Sequence, residues 1–533
     1  MKRNAIFYCL ITIVLIIGLQ SCAKHFFRSN YKDVNELIHN AAYLQTKPYL
    51  KAHLKNGDII ILKDTWQIDT TLNIVNGAGS KYNFNRKLMF EGSVNIPIDS
   101  VSIFETNKKL VKPETNRVAA LSILAGVDAI IGLLCLSNPK ACFGSCPTFY
   151  INENDNFHYA DAEGFSDAIS PCLEYADIDA LNQTQIKGNR FSITMKNEAL
   201  ETHCVKDVKL LAYPLNQNER IYHYSASNKF YLCENTYQLS NAKADEGDIT
   251  SLLKNKDREE RFSLSDEKNL KSKESVYLTF EQVEHTKELG LLLNFRQTMM
   301  TTYLFYSAMG YMGNQVSDRF AMFENDTVLR NKHVATYKEL GGIDVYLYDE
   351  QASNWQLQHT FDEKGPIAIN KQIVPLQQST NTSKVKIKLV LNRGLWRIDY
   401  ASLTNIKEKV TPKEVSVSAI YNKGRIDNFA LNQIIKPEKY LISMPGDEFK
   451  FDFELPHTDS TYELFLYSKG YYLEWMREEW IKEKNLLKLN QMFNHPKKYL
   501  KEEAKTYKQY EMYMESEFWD SKIDTKNFSF YEN

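Results

Sequence analysis

The stretch Lys384-Val385-Lys386-Ile387-Lys388-Leu389 decides the fold class, because lysine alternates with an aliphatic residue along its whole length. A period of two places one kind of side chain on each face of an extended chain, which is typical of a half-buried β-strand. The same period recurs at 343–348 and in Phe449, Phe451 and Phe453. Strands at this spacing predict an immunoglobulin-like region, of one or two sandwiches, in residues 335–468.

Strand signals also run through the first half of the chain. Five short apolar runs between residues 50 and 110 are separated by turn residues such as Asn56-Gly57-Asp58 and Gly77-Ala78-Gly79. Their number and spacing predict a small SH3-like barrel. Residues 138–244 return to strand character and predict a second, cysteine-bearing β region.

Other segments predict helices. Val118 to Leu136 is apolar except for Asp128, which indicates either a buried core helix or a helix that inserts into or lies on a membrane. A long helix is predicted from Phe280 to Tyr311, and its polar side chains favour burial between domains. Two more helices, Tyr471 to Phe493 and Lys498 to Phe518, are expected to close the chain.

The two most apolar predicted helices each contain a charged residue, Asp128 in one and Arg296 in the other. If the helices pack together the charges can meet, since burying either one without a partner is costly. The alternative is that each charge reaches water at the edge of its helix.

These patterns predict an α+β, mainly β multidomain protein. The expected divisions are a signal peptide (1–22), a tether (23–49), the small barrel (50–110), a hydrophobic helix (117–137), the cysteine-bearing β region (138–244), a solvated charged connector (245–275), a helical region (276–330), the immunoglobulin-like region (335–468) and a helical C-terminal tail (469–520).

The N-terminus carries the pattern of a lipoprotein signal. Basic residues at 2–3 precede an apolar run, and Leu19-Gln20-Ser21 leads directly into Cys22. Cleavage would leave Cys22 as an acylated N-terminus, an anchor strengthened by each buried CH2 group. Ala23 favours the outer membrane, and the absence of an acidic cluster after it favours the periplasmic face. An ordinary signal peptide or an uncleaved helix is the alternative interpretation.

Composition excludes some partners. The chain has 533 residues, 43% of them hydrophobic and 25% charged, as in globular proteins. Its 65 basic and 67 acidic side chains leave a net charge of −2, so no basic field is available to recruit nucleic acid.

Six cysteines follow Cys22, and an exported chain can pair them. Cys142 and Cys146 are four residues apart around a glycine, which permits a small disulfide-bonded loop. Free or differently paired thiols are the second interpretation. A redox or metal role is the third and least favoured interpretation, because the spacing of the two cysteines matches neither thioredoxin-like sites nor common zinc knuckles.

This cysteine motif also carries a resemblance. The chain resembles a family of uncharacterised bacterial lipoproteins in the following segments: 142–150 (CFGSCPTFY), 163–166 (EGFS), 197–203 (NEALETH), Trp66 with 77–79, 394–399 (GLWRID) and 468–472 (SKGYY). The resemblance implies a shared architecture and a lipid anchor. It implies no activity, substrate or catalytic residue.

Glu198, Glu201 and His203 invite a metal or proton-transfer hypothesis, because carboxylates beside an imidazole can do either. Their spacing does not match helical zinc motifs, so a turn or helix end that satisfies local backbone groups is the preferred interpretation. No catalytic residue, metal ligand or cofactor is therefore assigned.

The sequence favours a non-enzymatic function, namely binding or assembly at the outer membrane, in which the chain is an accessory subunit with an envelope protein as partner. The aromatic-rich tail from Tyr471 to Trp519 is the expected contact segment, with a purely structural cover of a domain core as the alternative. The second function considered is a periplasmic hydrolase acting on envelope glycan, peptide or lipid. No small-molecule ligand can be named from the sequence.

Overall fold

The computed structural model confirms a mainly β protein with several sheets, at 50% strand and 22% helix. The structure describes residues 29–31, 50–54, 58–63, 66–82, 88–106, 146–151, 160–185, 189–199, 201–284, 288–362, 365–377, 383–437, 439–456, 461–474, 483–520, 522 and 525. The predicted signal peptide, Cys22, Cys142 and the apolar segment 118–136 with Asp128 lie outside these residues.

A seven-stranded antiparallel sheet is formed by the first strands of the chain. They are β1 (Ser29–Tyr31), β2 (Leu50–Leu54), β3 (Ile59–Leu62), β4 (Gln67–Asp69), β5 (Ile74–Tyr82), β6 (Leu88–Pro97) and β7 (Val101–Thr106). The order is β1-β7-β2-β3-β5-β4, and β6 pairs with β5 along its length. Trp66, Val75, Ile96 and Phe104 are buried together in a small core of their own.

The remaining strands build three further sheets. They are β8 (Thr148–Tyr150), β9 (Ala162–Glu163), β10 (Tyr175–Gln185), β11 (Arg190–Lys196), β12 (Glu201–Pro214), β13 (Arg220–Tyr224), β14 (Lys229–Gln238), β15 (Asn241–Ala244), β16 (Gly247–Asp248), β17 (Arg261–Phe262), β18 (Lys273–Phe280), β19 (Glu288–Gln297), β20 (Ile343–Asp349), β21 (Asn354–Phe361), β22 (Asn370–Pro375), β23 (Val385–Asn392), β24 (Trp396–Val410), β25 (Lys413–Asn422), β26 (Arg425–Ile426), β27 (Leu441–Ser443), β28 (Glu448–Glu454) and β29 (Thr461–Glu474).

The α-helices lie between these strands and at the end of the chain. They are α1 (Thr250–Lys254), α2 (Met300–Met312), α3 (Val316–Asn325), α4 (Thr327–His333), α5 (Ala335–Leu340), α6 (Asn428–Ile434), α7 (Leu486–Asn494), α8 (Pro496–Lys508) and α9 (Met514–Asp520). None of the described helices combines the length and the apolar character needed to cross a membrane.

The largest sheet has ten strands in the order β10-β29-β12-β25-β28-β11-β8-β9, with β26 on β25 and β27 on β12. The strands β13, β14, β24, β19 and β22 form a closed barrel, because β14 pairs with both β13 and β24 while β22 joins β13 to β19. The fourth sheet has the order β16-β15-β18-β23-β20-β21 and contains the alternating stretches 343–348 and 384–389. A closed barrel is therefore present, but it lies between residues 220 and 410.

The predicted long helix from Phe280 to Tyr311 is wrong over its first half. Residues Glu288–Gln297 form β19, and only Met300–Met312 is helical. All of β19 after Glu288 is buried, including the polar residues Asn294, Arg296 and Gln297, so exposure does not alternate along the strand. A strand buried on both faces cannot be told from a buried helix by periodicity.

The start of the predicted helical tail needs a similar correction. β29 continues to Glu474 and is buried in its last five residues, so the segment from Tyr471 begins as a strand. Helices follow at Leu486–Asn494 and Pro496–Lys508, the second with proline at its first turn as the geometry of a helix start permits.

The predicted solvated connector at 245–275 contains buried charge instead. Arg261 is 1% exposed, and its guanidinium donates to both carboxylate oxygens of Glu274 and of Glu246. The charged segment that the sequence predicts to be solvated thus forms, in part, a buried network of ion pairs.

Arg296 lies in the barrel strand β19 and is fully buried. Its guanidinium donates twice to Glu260, at 2.6 Å each, and also to Glu515 on α9. Arg397 on β24 joins both carboxylates. Among the described residues Arg296 thus pairs with Glu260 and Glu515, which tie the last helix to the barrel. The predicted contact with Asp128 stays a prediction, because Asp128 lies outside the described residues.

Arg296→Ala should lower the free energy of unfolding by about 3–5 kcal/mol, because it leaves the buried Glu260 carboxylate without its guanidinium. Urea denaturation measures this. Lys498→Ala is the matched control, since Lys498 pairs with Glu502 at 3.6 Å on the solvent face of α8 and should change stability by about 0–1 kcal/mol. Similar losses for both variants would contradict the role of the network.

Candidate functional site

A thiol and a carboxyl group that are 17 residues apart in the chain meet in the interior. Cys146 lies just before β8, which pairs with β9, and Glu163 is the last residue of β9. The pairing extends beyond the strands, because the backbone N–H of Gly164 donates to the carbonyl of Pro147 at 2.9 Å. As a result the Cys146 thiol donates to Glu163 Oε1 at 2.9 Å.

The second oxygen of Glu163 is held by a distant loop. Oε2 accepts the backbone N–H groups of Ile367 at 2.7 Å and Ala368 at 3.1 Å. Gly365 enters this loop at a φ of +119°, and a Cβ there would lie 2.6 Å from Oε2. Only glycine allows both this backbone conformation and the close approach of the carboxylate.

The buried surroundings of Cys146 and Glu163 favour the protonated form of both side chains compared with water. Burial raises the pKa of Glu163 above its ordinary value. Burial, followed by the charge of Glu163, raises the pKa of the Cys146 thiol well above its ordinary value. The thiolate is the reactive form of cysteine, so Cys146 acts here as a hydrogen-bond donor and not as an activated nucleophile.

A cavity of about 110 Å³ opens beside this pair. Its wall includes the polar side chains of Asp167, Gln297, Thr301 and Tyr472 together with Cys146 and Glu163. The volume exceeds that of a single water and the wall offers several hydrogen-bonding groups, so the cavity can hold solvent or a small polar molecule.

The structure brings together two of the three residues of the sequence-based metal hypothesis. Glu201 and His203 point to the same side of β12, are fully buried, and join through Oε1 and Nε2 at 2.8 Å. Glu198 turns to other partners, namely the hydroxyls of Thr148 and Tyr150 and the ammonium of Lys522. The described residues contain no group of three or more histidine, cysteine or acidic side chains arranged to hold a metal ion.

Four of the six segments quoted for the resemblance lie together at this site. Tyr472 on β29 lies opposite His203 on β12, and its hydroxyl donates to the carbonyl of Ser166 at 3.0 Å. Gly470 passes so close to the carbonyl of Cys204 that an added Cβ would lie 2.4 Å from it. The motifs around Cys146, 163–166, 197–203 and 468–472 therefore form one packed unit.

The predicted disulfide between Cys142 and Cys146 stays a prediction, and the structure shows a hydrogen-bonded thiol at Cys146. Cys146 is free and buried, and its Sγ faces Glu163. Its predicted partner Cys142 lies outside the described residues, as does the predicted lipid-attachment residue Cys22. In the sequence Glu163 stands out only as part of the segment 163–166, and no spacing rule predicts its contact with Cys146.

Comparisons with known proteins add little. No protein-family profile matches the sequence, and none of the curated proteins does. The solved structures that are similar include a β-porphyranase of glycoside hydrolase family 86 from the human gut bacterium Bacteroides plebeius, with a TM-score of 0.17, 8% identity and coverage of 44% of this chain and 37% of that chain.

Two further structures are an α-xylosidase of family GH31 from Xanthomonas citri and VP2 of infectious bursal disease virus. The α-xylosidase has a TM-score of 0.15, 8% identity and coverage of 84% of this chain and 38% of that one. The VP2 subviral particle has a TM-score of 0.13, 9% identity and coverage of 92% and 93%. This chain thus spans less than two fifths of either glycoside hydrolase, and at these TM-scores the likeness carries no argument about fold or function.

Glu163 should make the protein less stable as the pH rises. Its pKa is raised above the ordinary 4.5, so its contribution is full below about pH 4.5 and is lost as the pH rises through the folded-state pKa. Glu163→Gln cannot titrate. The free energy of unfolding of this variant, relative to the native protein, should therefore increase with pH above 4.5 in urea denaturation.

Glu246→Gln is the control of opposite sign. The hydrogen bond from Arg261 holds the pKa of Glu246 below 4.5, so this variant should lose stability relative to the native protein as the pH rises. A Glu163→Gln difference that does not change with pH would show that the carboxyl does not titrate in this range.

Proposed function

We propose that this chain is a lipid-anchored lipoprotein of the bacterial outer membrane with a non-enzymatic role in binding or assembly. The lipoprotein signal ending at Cys22 supports the anchor and the outer-membrane location, with the bulk of the chain on the periplasmic side. The observation that supports binding is the open edge of the N-terminal sheet.

That edge is β6. Among the described strands, β6 pairs only with β5, so its outer row of backbone N–H and C=O groups faces away from the sheet. Leu88, Met89 and Phe90 follow one another on this strand and are 48%, 59% and 50% exposed. Natural proteins usually protect such edges with charge, proline or a covering segment.

An open edge with exposed apolar side chains fits a partner that adds a strand. In this mode the main chain of an extended segment supplies the hydrogen bonds, and its side chains fit against those of the edge strand. The partner we propose is an envelope protein that presents an extended apolar segment. The protein would then act as an accessory subunit, held at the membrane by its anchor.

The hydrolase alternative has weaker support. The buried pair of Cys146 and Glu163 places a thiol and a carboxyl group beside a cavity, as a hydrolase site could, but the pKa of Cys146 is raised well above its ordinary value. A thiol in that state is a poor nucleophile. We therefore favour binding over hydrolysis as the function of this chain.

Site-specific photo-crosslinking at Met89 in native envelopes tests the proposal. We expect a single protein to crosslink at this position, and we expect the crosslink to be lost when Leu88 and Phe90 are both changed to lysine. In the purified complex the outward-facing backbone amides of residues 88–96 should exchange with deuterium more slowly than in the isolated protein, because the added strand pairs with them.

Leu72 is the control position, since it is 66% exposed in the turn between β4 and β5 and should give no crosslink. Cys22→Ala should release the protein from the membrane and weaken the crosslink. A crosslink that survives the double lysine change, or amide exchange that is the same with and without the partner, would exclude pairing at β6.

A further inference from the structure

A second exposed surface lies at the opposite end of the sequence from β6, in residues 421–437, here called the basic tip. β25 and β26 are joined by the two residues Lys423 and Gly424, with φ of +49° and +74°. Two successive positive φ values are the signature of a tight type I′ hairpin turn. A Cβ added to Gly424 would meet nothing within 4 Å, so the turn projects into solvent.

Large apolar side chains surround this turn. Ile426 on β26, Phe429 on α6 and Ile435 just after α6 are 62%, 69% and 55% exposed. The other side of α6 is buried through Ala430 and Ile434. The helix is therefore fixed to the protein by one side while the tip presents three apolar side chains outward.

The exposed charges of the basic tip are positive. They are Lys423, Arg425 and Lys436. Residues 421–437 are all described, and their single carboxylate, Asp427, is half-buried and caps α6 by accepting the N–H of Ala430 at 2.8 Å. The neighbouring strand β28 contributes both signs, with Lys450 exposed opposite Tyr421 and Glu448 half-buried. The tip thus carries exposed apolar side chains and three exposed cations in one short segment.

We propose that the basic tip is a membrane-contacting surface that docks on a bilayer containing anionic phospholipid. Apolar side chains flanked by lysine and arginine bind at the boundary between headgroups and acyl chains, where the cations meet phosphate groups. This charge complementarity distinguishes the tip from β6, where the exposed Glu91 lies 3.9 Å from the ammonium of Lys63, the residue after β3.

This contact would act with the proposed acyl anchor but does not depend on it. A single weak membrane signal binds reversibly, whereas two signals together hold a protein firmly. The anchor fixes the N-terminus, and the tip would fix the orientation of the ten-stranded sheet relative to the bilayer.

Vesicle co-sedimentation of the Cys22→Ala chain tests the tip without the anchor. We expect binding to vesicles of phosphatidylcholine with phosphatidylglycerol, and little binding to phosphatidylcholine alone. Lys423→Glu with Arg425→Glu should weaken binding to the anionic vesicles by about tenfold or more, because each cation near an anionic surface contributes to affinity. Ile426→Ser with Phe429→Ser should also reduce binding, since it removes the apolar contact.

The matched controls are Leu487→Ser and Lys497→Glu, both at exposed positions on α7 and α8. They should bind as the Cys22→Ala chain does, and circular dichroism confirms that all variants are folded. Equal loss of binding in tip and control variants would attribute the effect to overall charge and apolarity, which overturns the proposal. Failure of the unaltered tip to bind anionic vesicles also overturns it.

An environment-sensitive fluorophore at residue 429 gives a second readout. In the Phe429→Cys variant its emission should shift to shorter wavelength with anionic vesicles, while the same label in the Leu487→Cys variant should not shift. A shift at residue 429 that requires an envelope protein and not lipid would assign the tip to a protein partner and contradict the proposal.

Discussion

The pairing of β12 with β29 is the constraint on which the rest of the structure depends. It joins residues 201–214 to residues 461–474, which are about half the chain length apart in the sequence. Closing so long a loop costs entropy, but that cost grows only slowly with loop length, and both strands are buried along most of their length. The pairing places Tyr472 opposite His203 and brings Tyr472 to the wall of the cavity beside Cys146. Without it the ten-stranded sheet has no centre and the site does not form.

The fold was predictable where one face of a strand meets water. The alternation in 343–348 and 384–389 identified strands correctly because it reflects a polar side and an apolar side. The prediction failed in Glu288–Gln297, where both faces of the strand are buried and polar side chains such as Arg296 do not mark a solvent-facing side. The charged segment around Arg261 was wrongly predicted to be solvated, because here the polar side chains are buried. Charges that pair with each other can be buried, and sequence alone does not show which charges pair.

The site was predictable only in part. Cys146 attracted attention through its motif, but its partner Glu163 is set by the pairing of β8 with β9 and by the distant loop at 365–368, neither of which has a local signal. Glu201 and His203 are a different case. Residues two apart on a strand point to the same side, so assigning 201–203 to a strand rather than a turn would have predicted their contact. The error lay in the secondary structure and not in the choice of residues.

The buried ionisable groups of the site and the barrel support the binding role that we propose. Several of them pair with one another: Arg296 with two carboxylates, Arg261 with two more, and the Cys146 thiol with Glu163. Groups held in this way stabilise one arrangement of sheets and have little freedom to exchange protons with a substrate. Exposed apolar side chains are found at β6 and near the hairpin turn at Lys423 and Gly424, as well as at other positions such as Leu487. The first two are the surfaces that we propose contact a protein partner and a membrane.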